Sequence, residues 1–346
     1  MPQAPFKPMV QATLRRRSFL GASAIGLGAI GMWPELQTFA ADAQDFVMGP
    51  PVKDITPMQV SKHVWMIYAP DGFPTQENRG MMSNVTFVVT TAGVVILDSG
   101  SSLQIGQMAI RMIKKVTPLP VIAVFNSHFH GDHWLGNHAF VEEYGIQLPI
   151  YALAKTIETI KGMEGNTWRI LMERWTNQAT AGTKVIPPTH IANHGDIFKY
   201  GDVTIKIHHY GVAHTPGDIC MEIVEDKVTH VGDVAMDDRI ANMDDGSYVG
   251  TFKTYKALTQ AAGPQLWIPG HGNAKKELLA EYGEFMSGIY ETCVKAVQDG
   301  LDPSSAKNLV LKDPRVVKYA KRTKGFDGNI GKYTSLAYLE AEKEAF

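Results

Sequence analysis

"NSHFHGDHWLGN" (126–137) follows directly on the apolar run "VIAVF" (121–125). Within six positions it places His128, His130, Asp132 and His133, in a chain with only 12 histidines. Neutral imidazole and carboxylate are good ligands for a divalent cation, and open catalytic sites mix them. Positions i and i+2 diverge on a helix, so the four cannot share one helix face. A loop can turn all four inward, with Gly131 permitting a tight turn. The stretch therefore reads as half of a two-metal site. "VIAVF", preceded by Pro118 and Pro120, has the make-up of a strand covered on both faces. Functional loops sit at such strand ends in layered α/β folds.

The other half has to come from elsewhere. "GVAHTPGD" (211–218) supplies His214 in a Gly/Pro turn after a strand. "HVGD" (230–233) supplies Asp233, and "IPGHG" (268–272) supplies His271 between glycines. Each is a polar residue at the tip of an apolar strand, which suits a site better than a core. A lone histidine is more often packed or solvated than a ligand, and Asp233 could simply cap its turn. His138, His190, His194, His208, His209 and His230 lack such placement and read as non-ligands. Cys220 and Cys293 read as small buried hydrophobes. Two cysteines exclude a disulfide scaffold and a cysteine-built zinc finger.

The motif His128-x-His130-x-Asp132-His133, with His214, Asp233 and His271 following in order, resembles the metallo-β-lactamase-fold hydrolases over about residues 60–275. The resemblance implies an α/β fold, a four-layered αβ/βα sandwich. It implies that His128, His130 and His214 hold one zinc ion and that Asp132, His133 and His271 hold a second. Asp233 would bridge them, and Asp132 would also orient the nucleophile as a catalytic residue. Asp98 in "VILDSG" matches the family's early structural aspartate. The implied activity is dinuclear zinc-dependent hydrolysis, a metal-activated hydroxide attacking an ester, thioester, lactone or amide. Iron is the lesser expectation, since nitrogen and oxygen ligands do not exclude it. An aspartate at 233 resembles glyoxalase II and lactonases, whereas the best-known β-lactamases of the fold put a cysteine on the second metal or lack a bridging carboxylate. A β-lactamase therefore stands as an alternative. His130 stands where the diiron oxygen-reducing branch has glutamate, which argues against redox chemistry. A further alternative is a non-hydrolytic metal-binding accessory protein of a periplasmic sulfur-oxidation or quinoprotein system, suggested by the export signal and the helical tail.

Strand-like runs occupy 63–69, 84–91 and 93–99, and a helical pattern spans 102–116. Residues 153–180 look helical and carry Met163, Trp168, Met172 and Trp175, as a packed helix pair or as a lid over the site. Strands resume at 202–211, 218–225, 227–233 and 265–270, with a helix at 251–263. From Lys275 the chain reads as helical to its end, with breaks near Gly300–Pro303 and Lys324–Asn329. The expected organisation is a signal over 1–43, a catalytic domain over 44–275 and a helical extension over 276–346. The extension packs on the domain, covers the site or forms a homodimer.

The sequence has 346 residues, 45% of them hydrophobic, and a formal charge of −2. That is enough for a sizeable core and marks no nucleic-acid partner. The N-terminal "RRRSFLGASAIGLGAIGMW" joins Arg15, Arg16 and Arg17 to a short apolar stretch with four glycines, Leu20 to Trp33. Ala41-Asp42-Ala43 has the form of a cleavage site. Together these read as an export signal, and Arg16-Arg17-x-Phe19-Leu20 resembles a twin-arginine address. An uncleaved anchor is the alternative. The expectation is a protein recognised by the twin-arginine export machinery, cleaved near Ala43 and periplasmic, acting on a small-molecule substrate. Removing residues 1–43 takes away four basic and two acidic groups, leaving −4.

Overall fold

The computed structural model describes residues 48–70, 72–240 and 242–345, so the expected export signal over 1–43 lies outside the described residues. The first sheet runs β1 (Met58–Gln59), β2 (Val64–Ile67), β3 (Val85–Thr90), β4 (Gly93–Leu97), β5 (Val121–Phe125), β6 (Ile150–Ala152) and β7 (His190–Ile191), in that spatial order. Pairing is antiparallel up to β4 and parallel from β4 to β7. The second sheet has the order β12 (Leu266–Pro269), β11 (Val228–Gly232), β10 (Cys220–Ile223), β9 (Val203–His208), β8 (Ile197–Tyr200). Its one parallel pair is β11 with β12.

Period-two alternation assigns the layers. Val95 and Leu97 of β4 face inward with Phe125, meeting Ile205 and Ile207 of β9 and Met221 of β10 between the sheets. Val94 and Ile96 face outward, under α1 (Leu103–Val116) and Phe140 of a helix at 137–144. The outer face of the second sheet carries Val231 and Trp267 against Tyr282, Phe285 and Ile289. These four layers make an αβ/βα sandwich. Ser102 caps α1 by accepting from the Ile105 amide.

Helices continue with α2 (Gly131–Trp134), α3 (Asn137–Tyr144), α4 (Ala154–Thr159), α5 (Gly165–Trp175) and α6 (Tyr248–Ala262). The C-terminal region holds α7 (Leu278–Gln298), α8 (Pro303–Val310), α9 (Pro314–Ala320) and α10 (Phe326–Ala345). Two details differ from the sequence reading. Asp313 caps a new helix whose first residue is Pro314, so the tail breaks there too. The later break falls before Phe326, because Gly325 (φ +70°) ends the preceding turn. Among the described residues, no helix is long and apolar enough to cross a membrane.

A candidate dinuclear metal centre

Strand ends build the site. β5 delivers Asn126 and then His128 and His130 on a loop; Asp132 and His133 lie in the single helical turn α2. The expected all-loop arrangement is thus half helix. Trp134, fully buried, donates its indole N–H to the Phe129 carbonyl at 2.7 Å and ties the turn back onto the loop. Gly131 is not at positive φ, so it is not there for a tight turn. It is required by packing: a Cβ would stand 2.7 Å from the Trp168 Cβ. His214 follows β9 in a turn in which Asp218 accepts from Thr215 N and Oγ1 at 2.8 and 2.7 Å. Asp233 directly follows β11 and His271 follows β12, the one parallel pair of that sheet.

The chain brings all seven residues together. Donor atoms of His128, His130, His214 and Asp233 form one group, those of Asp132, His133 and His271 another, each within 4.8 Å internally. All seven residues are buried. His130 Nδ1 lies 2.9 Å from His214 Nε2. His128 Nε2 and His214 Nε2 are 3.8 and 3.5 Å from Asp233 Oδ2. The same Oδ2 is 3.3 Å from His271 Nε2, and Asp233 Oδ1 is 3.3 Å from His133 Nε2. Asp233 therefore touches both groups.

Whether a cation pair fits can be asked of the polar atoms themselves. His128 Nε2, His133 Nε2, His271 Nε2, Asp132 Oδ2 and Asp233 Oδ1 are buried without a hydrogen-bond partner. Buried polar atoms are almost always paired, so five orphans converging on one place need an explanation. Their mixture of imidazole nitrogen and carboxylate oxygen suits zinc.

Electrostatics point the same way for four of the donors, whereas burial would lower His133 but Asp132, Asp233 and Asp98 around it outweigh that and raise it well above the usual imidazole value. Burial would raise the Asp132 carboxyl, but His133 and His271 beside it hold it well below the carboxylate range. Burial opposes ionisation of Asp233 as well, and His271 and His133 outweigh it. Burial, with His130 next to it, pushes His214 down to about 3. Burial, with His133 and His130 nearby, lowers His128 well below the usual imidazole value. Both remain neutral with a lone pair available.

Behind the donors sits Asp98, fully buried, at φ +59°. It accepts from Ser127 N at 2.7 Å and Ser127 Oγ at 2.8 Å, and pairs with His133 Nδ1 at 2.8 Å and His230 Nε2 at 3.0 Å. This fixes the ring of His133 with Nε2 towards the centre. Asp98 thus has the supporting place expected of it. His230 is outside both donor groups, yet it belongs to this support. It was expected to be a non-ligand and is one; as a histidine inside the apolar strand β11 it needs a buried partner, and Asp98 is that partner. Of the other five, His138 pairs with Glu142 at 2.9 Å and His208 with Glu222 at 2.7 Å. His190 bonds Thr189, His194 packs on Tyr210, and His209 lies 2.8 Å from the Asp218 carbonyl. Cys220 is buried among apolar residues, which pushes its thiol up.

A groove of about 480 Å³ opens beside His130, between Phe129, Trp168, Leu171 and Pro216 on one side and Asn242, Asp244 and Asp245 on another. The α4–α5 segment is packed and also lines the groove. It packs through Ile157, Ile160 and Met172, is kinked at Gly162 (φ −75°, ψ −150°), and walls the groove with Trp168, whose ring centre is 4.9 Å from that of His130. His271 Nδ1 donates to the Met82 carbonyl at 2.6 Å, which leaves Nε2 for the centre, and Arg239 NH1 lies 2.6 Å from the same Nδ1.

A four-layered sandwich with seven histidines and aspartates converging at strand ends defines a metallohydrolase-type fold. The chain belongs to the metallo-beta-lactamase superfamily, whose family model matches residues 78–281. Metallo-beta-lactamase IND-1 of Chryseobacterium indologenes is 34% identical over 127 residues, 36% of this chain. The chain spans about half (47%) of the length of that curated relative. Among solved structures, the metallo-beta-lactamase from Pontibacter korlensis superimposes with a TM-score of 0.53 at 18% identity, covering 68% of this chain and 99% of that one. The stereoselective inverting sec-alkylsulfatase Pisa1 from Pseudomonas sp. reaches a TM-score of 0.65 at 15% identity, covering 82% and 50%. These likenesses establish the fold.

Proposed function

We propose that the protein is an exported dinuclear zinc hydrolase that cleaves an ester, thioester, lactone or amide. The observation that carries this reading is the set of buried, unpartnered donor atoms on His128, His133, His271, Asp132 and Asp233. His128, His130 and His214 would hold one ion, Asp132, His133 and His271 the other, with Asp233 between them. A bound pair supplies Lewis acidity, activating water near neutral pH and stabilising charge on the oxygen of the attacked group. Asp132, ionised because of its histidine neighbours, accepts a hydrogen bond from the attacking water and orients it. Phe129, Trp168 and Leu171 exclude solvent from one side of the groove and receive an apolar part of the substrate. The Arg16–Arg17 pair and Ala41-Asp42-Ala43 support export through the twin-arginine route and a periplasmic location.

The 34% identity to IND-1 favours β-lactam hydrolysis as a second reading, and the aspartate at 233 disfavours it. The test is one panel: aryl ester, thioester, lactone, amide and chromogenic cephalosporin, offered to zinc-loaded protein lacking residues 1–43. Turnover of acyl substrates other than the cephalosporin supports the proposal. Preference for the cephalosporin replaces it with the second reading. No turnover of any, with metal bound, leaves a metal-binding accessory protein.

A further inference from the structure

After β11, the described residues 236–240 and 242–247 have no regular secondary structure, and Asn242, Asp244 and Asp245 form a wall of the groove. Helices of the C-terminal extension hold it. Tyr319 Oη on α9 donates to the Met236 and Arg239 carbonyls at 3.1 and 3.2 Å. Tyr333 Oη on α10 donates to the Ile240 carbonyl at 3.4 Å. Lys332 Nζ on α10 donates to Asp244 Oδ2 at 2.5 Å. Glu340, about two helical turns further on, accepts from Ser247 Oγ at 2.5 Å and from the Tyr248 and Val249 amides at 2.7 and 3.2 Å. It thereby occupies the N-terminus of α6, where a carboxylate is favoured. Asp245 lies between these two anchor points.

Asp245 faces the site. Its Oδ2 is 3.5 Å from His130 Nε2, while the opposite ring nitrogen, Nδ1, lies 2.9 Å from His214 Nε2 inside the donor group. A carboxylate can only accept, so it keeps the proton on Nε2 and turns the Nδ1 lone pair inward. Partners of this kind fix the tautomer and orientation of a ligating imidazole.

Resting on the metal-centre reading above, we propose that Asp245 is the positioning residue for His130, and that the C-terminal helices are part of the site because Lys332 and Glu340 hold Asp245 in place. The extension is therefore more than packing. It sets the geometry of the first donor group from the far side of the second sheet.

The test uses the chain lacking residues 1–43, loaded with cobalt(II) or zinc, in wild type, Asp245→Ala, Asp245→Asn and Lys332→Met/Glu340→Gln. Affinity is read by competition with a chromophoric chelator, and the first group by the cobalt visible spectrum. In Asp245→Ala the expected result is about 10–100-fold weaker binding of one ion, an altered spectrum and wild-type affinity for the other ion. Asp245→Asn retains an acceptor oxygen and should recover part of that affinity. The double variant, which leaves Asp245 itself unchanged, should weaken the same ion and shift the same band. Wild-type affinity and spectrum in both Asp245 variants would overturn the positioning role. Wild-type behaviour of the double variant would overturn the part given to the extension. A wild-type chain that binds no metal overturns the underlying reading instead, so the two failures are distinct. Metal-free melting of each variant separates misfolding from lost positioning; Asp245 is half-exposed and should leave it unchanged.

Discussion

Gly270 lies against Asp233 so closely that a Cβ at 270 would stand 2.2 Å from Asp233 Oδ1 and 2.6 Å from His133 Cε1. No real side chain accepts such a distance, so Gly270→Ala must displace a carboxylate or an imidazole of the centre. The expected result is loss of bound metal and a fall in turnover of at least tenfold, with little change in far-UV circular dichroism. Elemental analysis beside activity checks it; a fully metallated, fully active variant would show that Asp233 has another place to go.

Gly131→Ala should act on the groove instead. The added methyl would meet Trp168, so α5 must shift and the wall beside His130 with it. KM should rise more than kcat falls, while metal content stays near wild type.

Chelation should lower stability. Ligand that binds only the folded state contributes about 4 kcal/mol per site at a thousandfold excess over its Kd. Differential scanning calorimetry with and without a chelator should therefore show a lower midpoint for the stripped protein, restored by zinc.

Phe125 is the last residue of β5, fully buried, stacked on Tyr151 at 4.8 Å and edge-on to Phe198 at 5.1 Å. It anchors the strand that carries the His128 loop. Phe125→Ala should cost about 3–5 kcal/mol by cavity formation, measured by denaturant unfolding of the metal-free chain.

Replacing Arg16 and Arg17 by lysine should retain the protein in the cytoplasm, because the export receptor reads that pair. Fractionation of cells checks it, and normal delivery would refute the assignment. Mass spectrometry of exported wild type should place the new N-terminus after Ala43.

The main strands were legible because their two faces differ: Val95 and Leu97 go inward while Val94 and Ile96 go outward. "VIAVF" has the bounds of β5. β8, "IFKY", was not read, since it lies at a sheet edge, half-solvated, and takes its register only from β9. The seven donors were legible through one dense motif and three isolated strand ends. His230 and Asp245 were not, because they meet Asp98 and His130 only across sequence separations of 132 and 115. Such partnerships exist only after the sheets have closed on each other.

If Asp233 joins two metal positions, the number of ions bound per chain depends on it. Zinc per chain is measured in wild type and in Asp233→Asn, on protein lacking residues 1–43, beside turnover of the best substrate. Wild type should hold two zinc ions. In the variant one ion should be lost and hydrolysis should fall on the order of 100-fold, because a neutral amide offers one good oxygen in place of two. Folding should be unchanged, as the residue directly follows a strand. A variant that keeps both ions and full turnover would take Asp233 out of the centre, and a wild type that takes up none would mean there is no metal centre.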